Sequence, residues 1–374
     1  MHSIAKWPEV TCNETAGRGG AGRATPLTVS VLLATCNGER FLEEQLATIA
    51  AQSVLPAELV VCDDASSDET PGVLARFAAT APFPMRITST GSRLGFRANF
   101  MRGTGLCRGD LIAFCDQDDR WHPGKLESMV AAFTGPSVLL AFHDAAILHA
   151  DGTRAGSIYP NWRRGIDWPA LTAFPWAFSP GLTQVFRRSL CALDRLWPLS
   201  VDHTASGERL AHDRWYFFLA SVLGTIRYVP ERLVDYRQHE ANTYGMSGLA
   251  PQRLRRWRGE LATGGEAVDL RATAAANRAA LIEQIGAAMP EVASESLRAA
   301  AVYREFAERY RGRVAAHAGA SVRQRLAAML RVLAVGGYGW GGWRFGVQAL
   351  ALDLLGGVMG LGHGAAAPGQ VADG

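Results

Sequence analysis

Residues 27–70 read LTVSVLLATCNGERFLEEQLATIAAQSVLPAELVVCDDASSDET, and the order of patterns in this stretch predicts the fold. The stretch opens on Leu27–Thr35, a short, apolar and β-rich run that is typical of a strand buried on both faces. After a polar turn, apolar residues recur at helical spacing from Phe41 to Ile49. A second apolar run, Leu59–Cys62, predicts another strand. Because short connections join these elements, we expect the two strands to pair in parallel.

The same alternation continues along the chain. Further strands are predicted at Met85–Thr88, Leu111–Cys115 and Val138–Leu148, and a helix is predicted around Asn99–Cys107. We therefore predict an α/β fold: a Rossmann-like, mostly parallel sheet flanked by helices on both faces, followed by a C-terminal helical region.

Composition changes along the chain and predicts its organisation. Residues 1–26 are rich in Gly, Ala and Thr without an apolar period, so we expect a disordered leader. Residues 27–245 form the predicted α/β domain. Ala, Arg and Leu dominate afterwards, which predicts a helical region over 246–363, with helices in Leu270–Ala316. Residues 364–374 are predicted to be a disordered tail.

Overall composition excludes several classes of protein. The 374 residues carry a formal net charge of only +3, so charge gives no reason to expect a nucleic-acid partner. The six cysteines are scattered without a CxxC pair, which indicates reduced thiols rather than a disulfide scaffold or a zinc site. Neither a signal peptide nor an apolar run of about 18 residues is recognised, so we expect a cytoplasmic protein without a spanning helix.

The region 323–345 mixes basic and apolar residues. It contains Arg323, Arg325, Arg331 and Arg344 together with Leu326, Leu330, Leu333, Trp340 and Trp343. This combination suits peripheral contact with an anionic membrane surface, which would place the protein at the inner face of the plasma membrane. A helix that packs on its own domain explains the pattern equally well.

Three polar clusters follow predicted strands: Thr35–Asn37, Asp63–Asp68 and Asp116–Asp119. In an open parallel sheet, ligands bind outside the carboxyl ends of the strands. Closely spaced carboxylates stay ionised together only where a cation or hydrogen-bond donors neutralise them. The Asp-x-Asp spacing of Asp116 and Asp118 directs both side chains to one side of an extended segment, within reach of one hard cation. We therefore expect a metal ion that holds a diphosphate.

Longer runs are similar to a known family. Residues 29–70 resemble the opening of the family-two glycosyltransferases of bacterial polysaccharide synthesis. RLGFRANF (93–100) with GDLIAFCDQDDRWHPGKL (109–126) resembles the DxDD segment of their rhamnosyltransferase-like branch, and residues 212–245 resemble that branch's C-terminal signature. The resemblance implies a GT-A fold, a nucleotide-sugar donor, a divalent cation (Mg²⁺ or Mn²⁺) and an inverting reaction, with dTDP-rhamnose as the expected donor and a saccharide or lipid-linked acceptor.

Two positions depart from the family pattern. Cys36 stands where an aromatic residue usually follows the threonine, and Arg93 replaces a usual asparagine. Both changes bear on nucleotide contacts, and neither removes a catalytic group.

The resemblance also implies roles for the residues at the first two strand ends. Asp64, with Asp63 beside it, is expected to accept hydrogen bonds from a pyrimidine and its ribose; an ordinary turn acid is the alternative. Thr35 and Asn37 are expected to line the base pocket. For Asn99 two roles stay open, a contact with the donor or its loop and a structural role at the start of the helix.

Metal ligands are expected mainly from the DxDD segment. Asp118 is the first candidate ligand, Asp116 is expected to face ribose or metal, and Asp119 to hold the sugar or to orient its neighbours. His239 is expected to complete the metal sphere, and Arg237 to grip phosphate oxygens. The alternatives are a structural acidic turn, a loop histidine and a solvated arginine.

The catalytic base is expected at Asp213. A helix is predicted to begin at His212 and Asp213, so Asp213 lies in a first turn whose dipole favours the ionised form that a base needs. A capping acid would suit this position as well, and the family resemblance favours the base. His212 is expected to be a neighbour or orienter.

Three further residues are expected on the acceptor side, together with Asp119. Asp144, predicted at the end of a strand, is a candidate for acceptor contact. Gly181 and Thr183 are expected to shape a wall of the acceptor site, since glycine permits close backbone approach.

Two other functions are compatible with parts of this pattern. A nucleotidyltransferase also binds nucleotides on an α/β sheet, but it should carry a basic, Gly-rich phosphate loop where this chain has Thr35–Glu39. A non-catalytic sugar-binding module would not need Asp118 and Asp213 together, and it would leave a nucleotide sugar intact.

Overall fold

A computed structural model describes residues 26–149, 151–239, 264–338 and 349–360. The predicted leader up to residue 25 and the predicted tail lie outside these ranges, as do Trp340, Trp343 and Arg344. The described chain divides into two compact units, residues up to 197 with 211–245, and residues 198–210 with those from 246 onward. The domain boundaries expected from the sequence stay a prediction.

The first unit alternates strands and helices, as the sequence pattern indicates. Its strands are β1 Val29–Thr35, β2 Glu58–Asp63, β3 Met85–Ser89, β4 Leu111–Cys115, β5 Arg120–Trp121, β6 Val138–Leu148, β7 Arg154–Ser157, β8 Ile166–Trp168, β9 Gln184–Arg187 and β10 Thr225–Arg237. Its α-helices are α1 Glu39–Ala50, α2 Thr70–Ala78, α3 Phe96–Thr104, α4 Lys125–Ala131 and α5 His212–Leu223, and 3₁₀ turns occupy Gly181–Thr183 and Arg188–Leu199.

These strands form one sheet in the order β3-β2-β1-β4-β9-β6-β10-β5, with β7 on β6 and β8 on β10. The first four strands are parallel, and so are β6 and β10. Strand β9 runs antiparallel between β4 and β6, and β5 runs antiparallel to β10. The predicted α/β class with a sheet flanked by helices is confirmed, although the sheet is mixed from β9 onward.

Strand register brings the polar clusters to one edge. Thr35 lies opposite Asp63, and Leu33 lies opposite Cys115, so β1, β2 and β4 end at nearly the same level. The strands are apolar because both faces are covered; every residue of β2, β4 and β6 is buried. The polar clusters Thr35–Asn37, Asp63–Asp68 and Asp116–Asp119 therefore lie together at one edge of the sheet, the rim of the candidate site.

One local expectation was wrong. Asp144 lies within β6 rather than at its end, because the strand continues through the polar pair His143–Asp144 to Leu148. Strand β10 extends through Arg237 by pairing with β6. Tyr236 and Arg237 therefore belong to the sheet.

The second unit is helical, as expected, with α6 Gly264–Ala288, α7 Ala293–Ala318 and α8 Val322–Ala334. A buried carboxylate, Asp353, fixes the segment 349–360 to α7, because it accepts hydrogen bonds from Arg313 at 2.7 and 3.0 Å. Tyr338 donates to the same carboxylate at 2.8 Å. None of the described helices has the length and apolar character needed to span a membrane.

Candidate active site

Asp63 is the centre of a hydrogen-bond network at the end of β2. Its carboxylate accepts from Thr35 Oγ1 at 2.9 Å, from Ser66 N at 3.0 Å and from Ser89 Oγ at 3.1 Å. These donors come from the ends of three strands, β1, β2 and β3. Thr35 and Asp63 thus hold the rim of the site together, and both are buried.

Asn37 links the turn after β1 to the loop after β2. Its backbone N–H donates to Ser66 Oγ, and its side-chain oxygen accepts from Ser67 N, each at 2.8 Å. Asn37 has a φ of +50°, a left-handed conformation that asparagine tolerates better than most residues. The residue expected in the base pocket therefore also fixes the shape of the rim.

Asp64 binds the loop that precedes α3. Its two oxygens accept from Leu94 N at 2.6 Å and Gly95 N at 2.8 Å. Asn99, 1% exposed, donates to Cys62 O at 2.7 Å and accepts from Arg102 at 3.1 Å. The structure therefore places Asn99 in a packing role on β2, while Asp64 lies at the rim with its oxygens directed at backbone N–H groups.

Gln117, a residue that sequence reasoning missed, fastens the DxDD segment to the turn after β1. It accepts from Cys36 N at 2.8 Å and donates to Cys36 O at 3.1 Å. A Cβ atom on Gly38 would lie 2.3 Å from the Gln117 side-chain oxygen, so glycine allows the Gln117 amide to lie this close to the turn. Cys36 takes part in this link through its backbone, and its Sγ lies 3.6 Å from Asp64 O.

Asp118 and His239 approach each other from two separate strand ends. Nε2 of His239 lies 2.7 Å from Oδ2 of Asp118. Arg237 supports this pair, since its Nε donates to Asp118 O at 2.9 Å and its backbone N–H donates to Asp119 Oδ1 at 3.1 Å. Its guanidinium also forms an ion pair with Glu44 of α1. The ends of β4 and β10 therefore meet at one acidic position.

The remaining acids of this segment are poorly compensated. Burial, with the charges of Asp118 and Asp213, raises the pKa of Asp116 to about 7. Burial also raises the pKa of Asp119 well above its usual value. Asp119 Oδ2 is buried without a hydrogen-bond partner among the residues that the structure describes. Such groups ordinarily require a donor or a cation.

This donor set fits a divalent cation. Carboxylate oxygens are the ligands of Mg²⁺ and Mn²⁺, and Mn²⁺ also accepts imidazole. Within the described ranges, no three His, Cys, Asp or Glu side chains are placed so that they could together hold a metal ion. The chain would therefore supply a few ligands, and a bound diphosphate and water would supply the others.

Asp213 lies in the first turn of α5. Its Oδ1 accepts from the neighbouring Arg214 N at 2.8 Å, and the residue before the helix makes no side-chain cap. His212 is buried and stacks on Phe100 with ring centres 3.9 Å apart, and burial lowers the pKa of His212 to about 3. A neutral, packed imidazole agrees with the expected neighbour role.

The acceptor-side candidates divide into two groups. Gly181 lies against the start of α5, where a Cβ atom would be 2.7 Å from His212 Nε2, and Thr183 Oγ1 donates to Pro180 O at 2.8 Å. Asp144 accepts from Ala145 N and Tyr159 N, each at 2.9 Å. The turn at 181–183 thus adjoins Asp213, whereas Asp144 holds the chain after β7.

A second residue missed by sequence reasoning is Lys125, the first residue of α4. It is fully buried, and Nζ donates to Leu182 O at 2.7 Å. Burial lowers its pKa to about 7. A lysine in the first turn of a helix ordinarily indicates a solvated side chain, so the sequence pattern contained no sign of this contact.

Fold and site together define an α/β protein with an acidic site at the carboxyl ends of its strands. Residues 30–166 match the sequence profile of Glycosyl transferase family 2. This match confirms the expected resemblance to the family-two glycosyltransferases over that segment.

Several other proteins are similar to parts of this chain. An uncharacterised protein of Mycobacterium tuberculosis is 29% identical over 224 residues, 56% of this chain and 59% of the relative. The dTDP-rhamnosyl transferase RfbG of Shigella flexneri is 26% identical over 223 residues, 57% of this chain and 73% of the relative. This chain thus matches less than two thirds of the mycobacterial relative's length. Among solved structures, S. aureus TarS 1-349 in complex with UDP-GlcNAc is similar over 88% of this chain and 91% of its own, with 15% identity and a TM-score of 0.49.

Proposed function

We propose that this chain is an inverting, metal-dependent glycosyltransferase that moves a sugar from a nucleotide diphosphate to an acceptor hydroxyl. The observation that carries the proposal is that Asp118 and His239 lie 2.7 Å apart. Asp116 belongs to the same segment, and the charge of Asp213 contributes to raising its pKa. A cation-binding pair and a candidate base therefore share one site. We propose a saccharide or lipid-linked acceptor in the synthesis of cell-surface polysaccharide.

Asp118 and His239 would hold the divalent cation, Mg²⁺ or Mn²⁺, and Asp116 is proposed to face the ribose or the metal. When bound, this ion supplies Lewis-acid stabilisation of the charge that develops on the departing diphosphate. Asp119 is proposed to hold the sugar or orient its neighbours. Asp63, Asp64, Thr35 and Asn37 are proposed to form the nucleotide side of the site, where Asp64 lies on the loop at 94–95. Arg237 is proposed to act near the phosphates through its position beside Asp118.

Asp213 is proposed as the general base. The acceptor oxygen forms a bond to the anomeric carbon, the bond from that carbon to the diphosphate oxygen breaks with its electron pair, and the hydroxyl proton passes to the Asp213 carboxylate. The position in the first turn of α5 favours the ionised carboxylate. Gly181 leaves room beside it.

For the donor we propose dTDP-rhamnose. Its support is the Shigella relative, which is named a dTDP-rhamnosyl transferase. The test is a panel of dTDP-rhamnose, UDP-N-acetylglucosamine and GDP-mannose, each with Mg²⁺ or Mn²⁺, with methyl glycosides as acceptors and nucleotide release as the readout. Release from at least one donor supports the proposal. Binding of a donor that stays intact would instead indicate a sugar-binding module.

We further propose that the region 323–345 contacts the inner face of the plasma membrane. Leu326, Leu330 and Leu333 of this region are exposed along α8, as is Val322 directly before the region, at intervals of four and three residues that keep them on one face. The helix contains three arginines and no acidic residue. An exposed apolar stripe beside positive charge suits an anionic lipid surface.

Vesicle sedimentation tests this membrane contact. Vesicles of phosphatidylglycerol and phosphatidylcholine should sediment the full chain, and replacing Leu326, Leu330 and Leu333 by serine should reduce the bound fraction several-fold. Leu297→Ser is the matched control, because Leu297 is also exposed but lies on α7. Equal sedimentation of all three proteins at low and high salt would exclude this surface.

A further inference from the structure

Lys125 is a buried cation between the two halves of the candidate site. Its side chain is fully buried, Nζ lies 3.7 Å from the centre of the Trp121 ring, and Nζ donates to Leu182 O at 2.7 Å. Burying an ammonium group is costly unless it gains hydrogen bonds and opposite charge. The contacts around Lys125 therefore indicate a specific role for its ammonium group rather than simple core packing.

One side of this contact is the acceptor-side turn. Leu182 is the central residue of the turn Gly181–Thr183, which leads directly into β9. Gly181 packs against His212 at the start of α5, and the Gln184 amide donates to Asp213 O at 3.1 Å. A hydrogen bond that fixes Leu182 therefore also fixes the turn against which the proposed base is placed.

The other side of Lys125 is connected to the acidic segment after β4, because Nζ lies over the ring of Trp121, two residues after Asp119. The charges of Asp116 and Asp119 act on Lys125, and the charge of Lys125 acts on both carboxylates. Lys125 itself begins α4, six residues after Asp119, so its backbone is tied to the same segment. A single side chain thus connects the cation-binding side with the acceptor turn.

We propose that Lys125 is a positioning residue that sets the distance between the Asp116–Asp119 segment and the start of α5. This inference rests on the glycosyltransferase function proposed above. If the hydrogen bond to Leu182 O is lost, the turn and Asp213 shift relative to the sugar while the nucleotide side of the site remains. A displacement of about 1 Å at the reacting atoms can cost about a hundredfold in rate.

Lys125→Met removes the ammonium and keeps the length of the side chain. We expect turnover to fall by about ten- to a hundredfold, with the dissociation constant for dTDP-rhamnose and Mn²⁺, measured by calorimetry, changed less than about threefold. Arg187→Met is the matched control. Arg187 also donates to backbone carbonyls, those of Val138 and Gly135, but it is half-buried and lies at the far end of β9. The control should retain near-normal turnover.

Normal turnover of a folded Lys125→Met protein would overturn the proposal, as would a loss confined to donor affinity. If Lys125→Met does not fold, Gly181→Ala tests the same spacing, because the added Cβ would press on His212 Nε2. A folded Gly181→Ala protein should also lose turnover and keep donor affinity, and normal turnover would count against the proposal. Failure of the proposed function is distinguishable, since then the wild type itself would release no nucleotide from any donor of the panel.

Discussion

The two acidic clusters at neighbouring strand ends look alike in sequence but differ in how their oxygens are used. At the end of β2, Asp63 and Asp64 accept hydrogen bonds from hydroxyl and backbone N–H groups. At the end of β4, Asp119 keeps a buried oxygen without a partner in the described chain, and burial raises the pKa of Asp116 to about 7. The carboxylates of the first cluster find their hydrogen-bond donors within the protein, whereas those of the second cluster need a further donor or a cation.

This difference separates a cluster that stabilises the structure from a cluster that is suited to bind a cation. A carboxylate that already accepts several hydrogen bonds stabilises the rim, and its loss should be seen first in folding and ligand affinity. Carboxylates held close together with too few donors repel one another, and a cation would relieve this repulsion. Two motifs of the same composition thus predict different experimental signatures.

The largest effect is expected from removing the cation. Excess chelator should abolish transfer by the wild type, and added Mn²⁺ should restore it, because the second cluster is proposed to hold the ion that stabilises the diphosphate. Asp118→Asn should be inactive without chelator. Turnover is measured as nucleotide release from dTDP-rhamnose or the panel donor that the wild type uses. Unchanged turnover in excess chelator would refute the metal assignment.

Asp213→Asn should have the next largest effect. Asparagine keeps the size of the side chain but cannot take a proton, so turnover should fall by about 10²–10⁴-fold. Donor and cation affinity should survive, since the proposed groups for both lie in the two clusters.

The same substitution separates the base from a capping role. Asparagine caps helices about as well as aspartate, so a cap role predicts an active protein with an unchanged melting temperature. Near-normal turnover would leave the base unassigned, and lost donor binding would move Asp213 to the nucleotide side.

Much of the fold was predictable because strong local patterns coincide with its elements. The predicted bounds of β6 agree with the structure, and α5 begins at His212, as predicted. Strand β9 was not predicted. It has only four residues, and its position between β4 and β6 is set by pairing with Ala113 and Ala141, far away in sequence.

The site was predictable in its residues but not in their partners. Sequence shows that acids follow β2 and β4, and strand register then brings them to one rim. It does not show that Asp64 binds the N–H groups at 94–95, or that Lys125 reaches Leu182, 57 residues away. Such contacts depend on tertiary packing between residues far apart in the chain, which leaves no periodic pattern in a single sequence.

In the presence of chelator, neutralising one aspartate in each cluster should change the free energy of unfolding in opposite directions. Asp63→Asn loses charged hydrogen bonds to Thr35, Ser66 and Ser89, so the free energy of unfolding should fall by about 1–3 kcal/mol. Asp119→Asn removes a buried, incompletely paired charge, so the free energy of unfolding should rise by about 1–3 kcal/mol. Denaturant unfolding at pH 8 measures both.

The pH dependence of the second change has a definite sign. The folded pKa of Asp119 lies above its unfolded value, so its charge destabilises the fold at high pH and has no such effect once both states are protonated. The gain from Asp119→Asn should therefore be largest at pH 8 and shrink as the pH falls towards 4. A loss of stability at pH 8 would show that Asp119 is as well compensated as Asp63.

The smallest effect is expected at Asp64, and it tests whether the completed cluster also touches the ligand. Asp64→Ala removes the acceptor of Leu94 N and Gly95 N at the rim, so donor affinity should weaken about tenfold, equivalent to about 1.4 kcal/mol, while the core stays folded. Asp68→Ala is the matched control, because Asp68 belongs to the same cluster but accepts from Glu39 N and Thr70 N at the starts of α1 and α2. Calorimetry with the nucleotide diphosphate and Mn²⁺ should find weakened binding only for Asp64→Ala. If both variants bind the nucleotide diphosphate as the wild type does, the first cluster has only a structural role, and other residues of the rim must recognise the nucleotide.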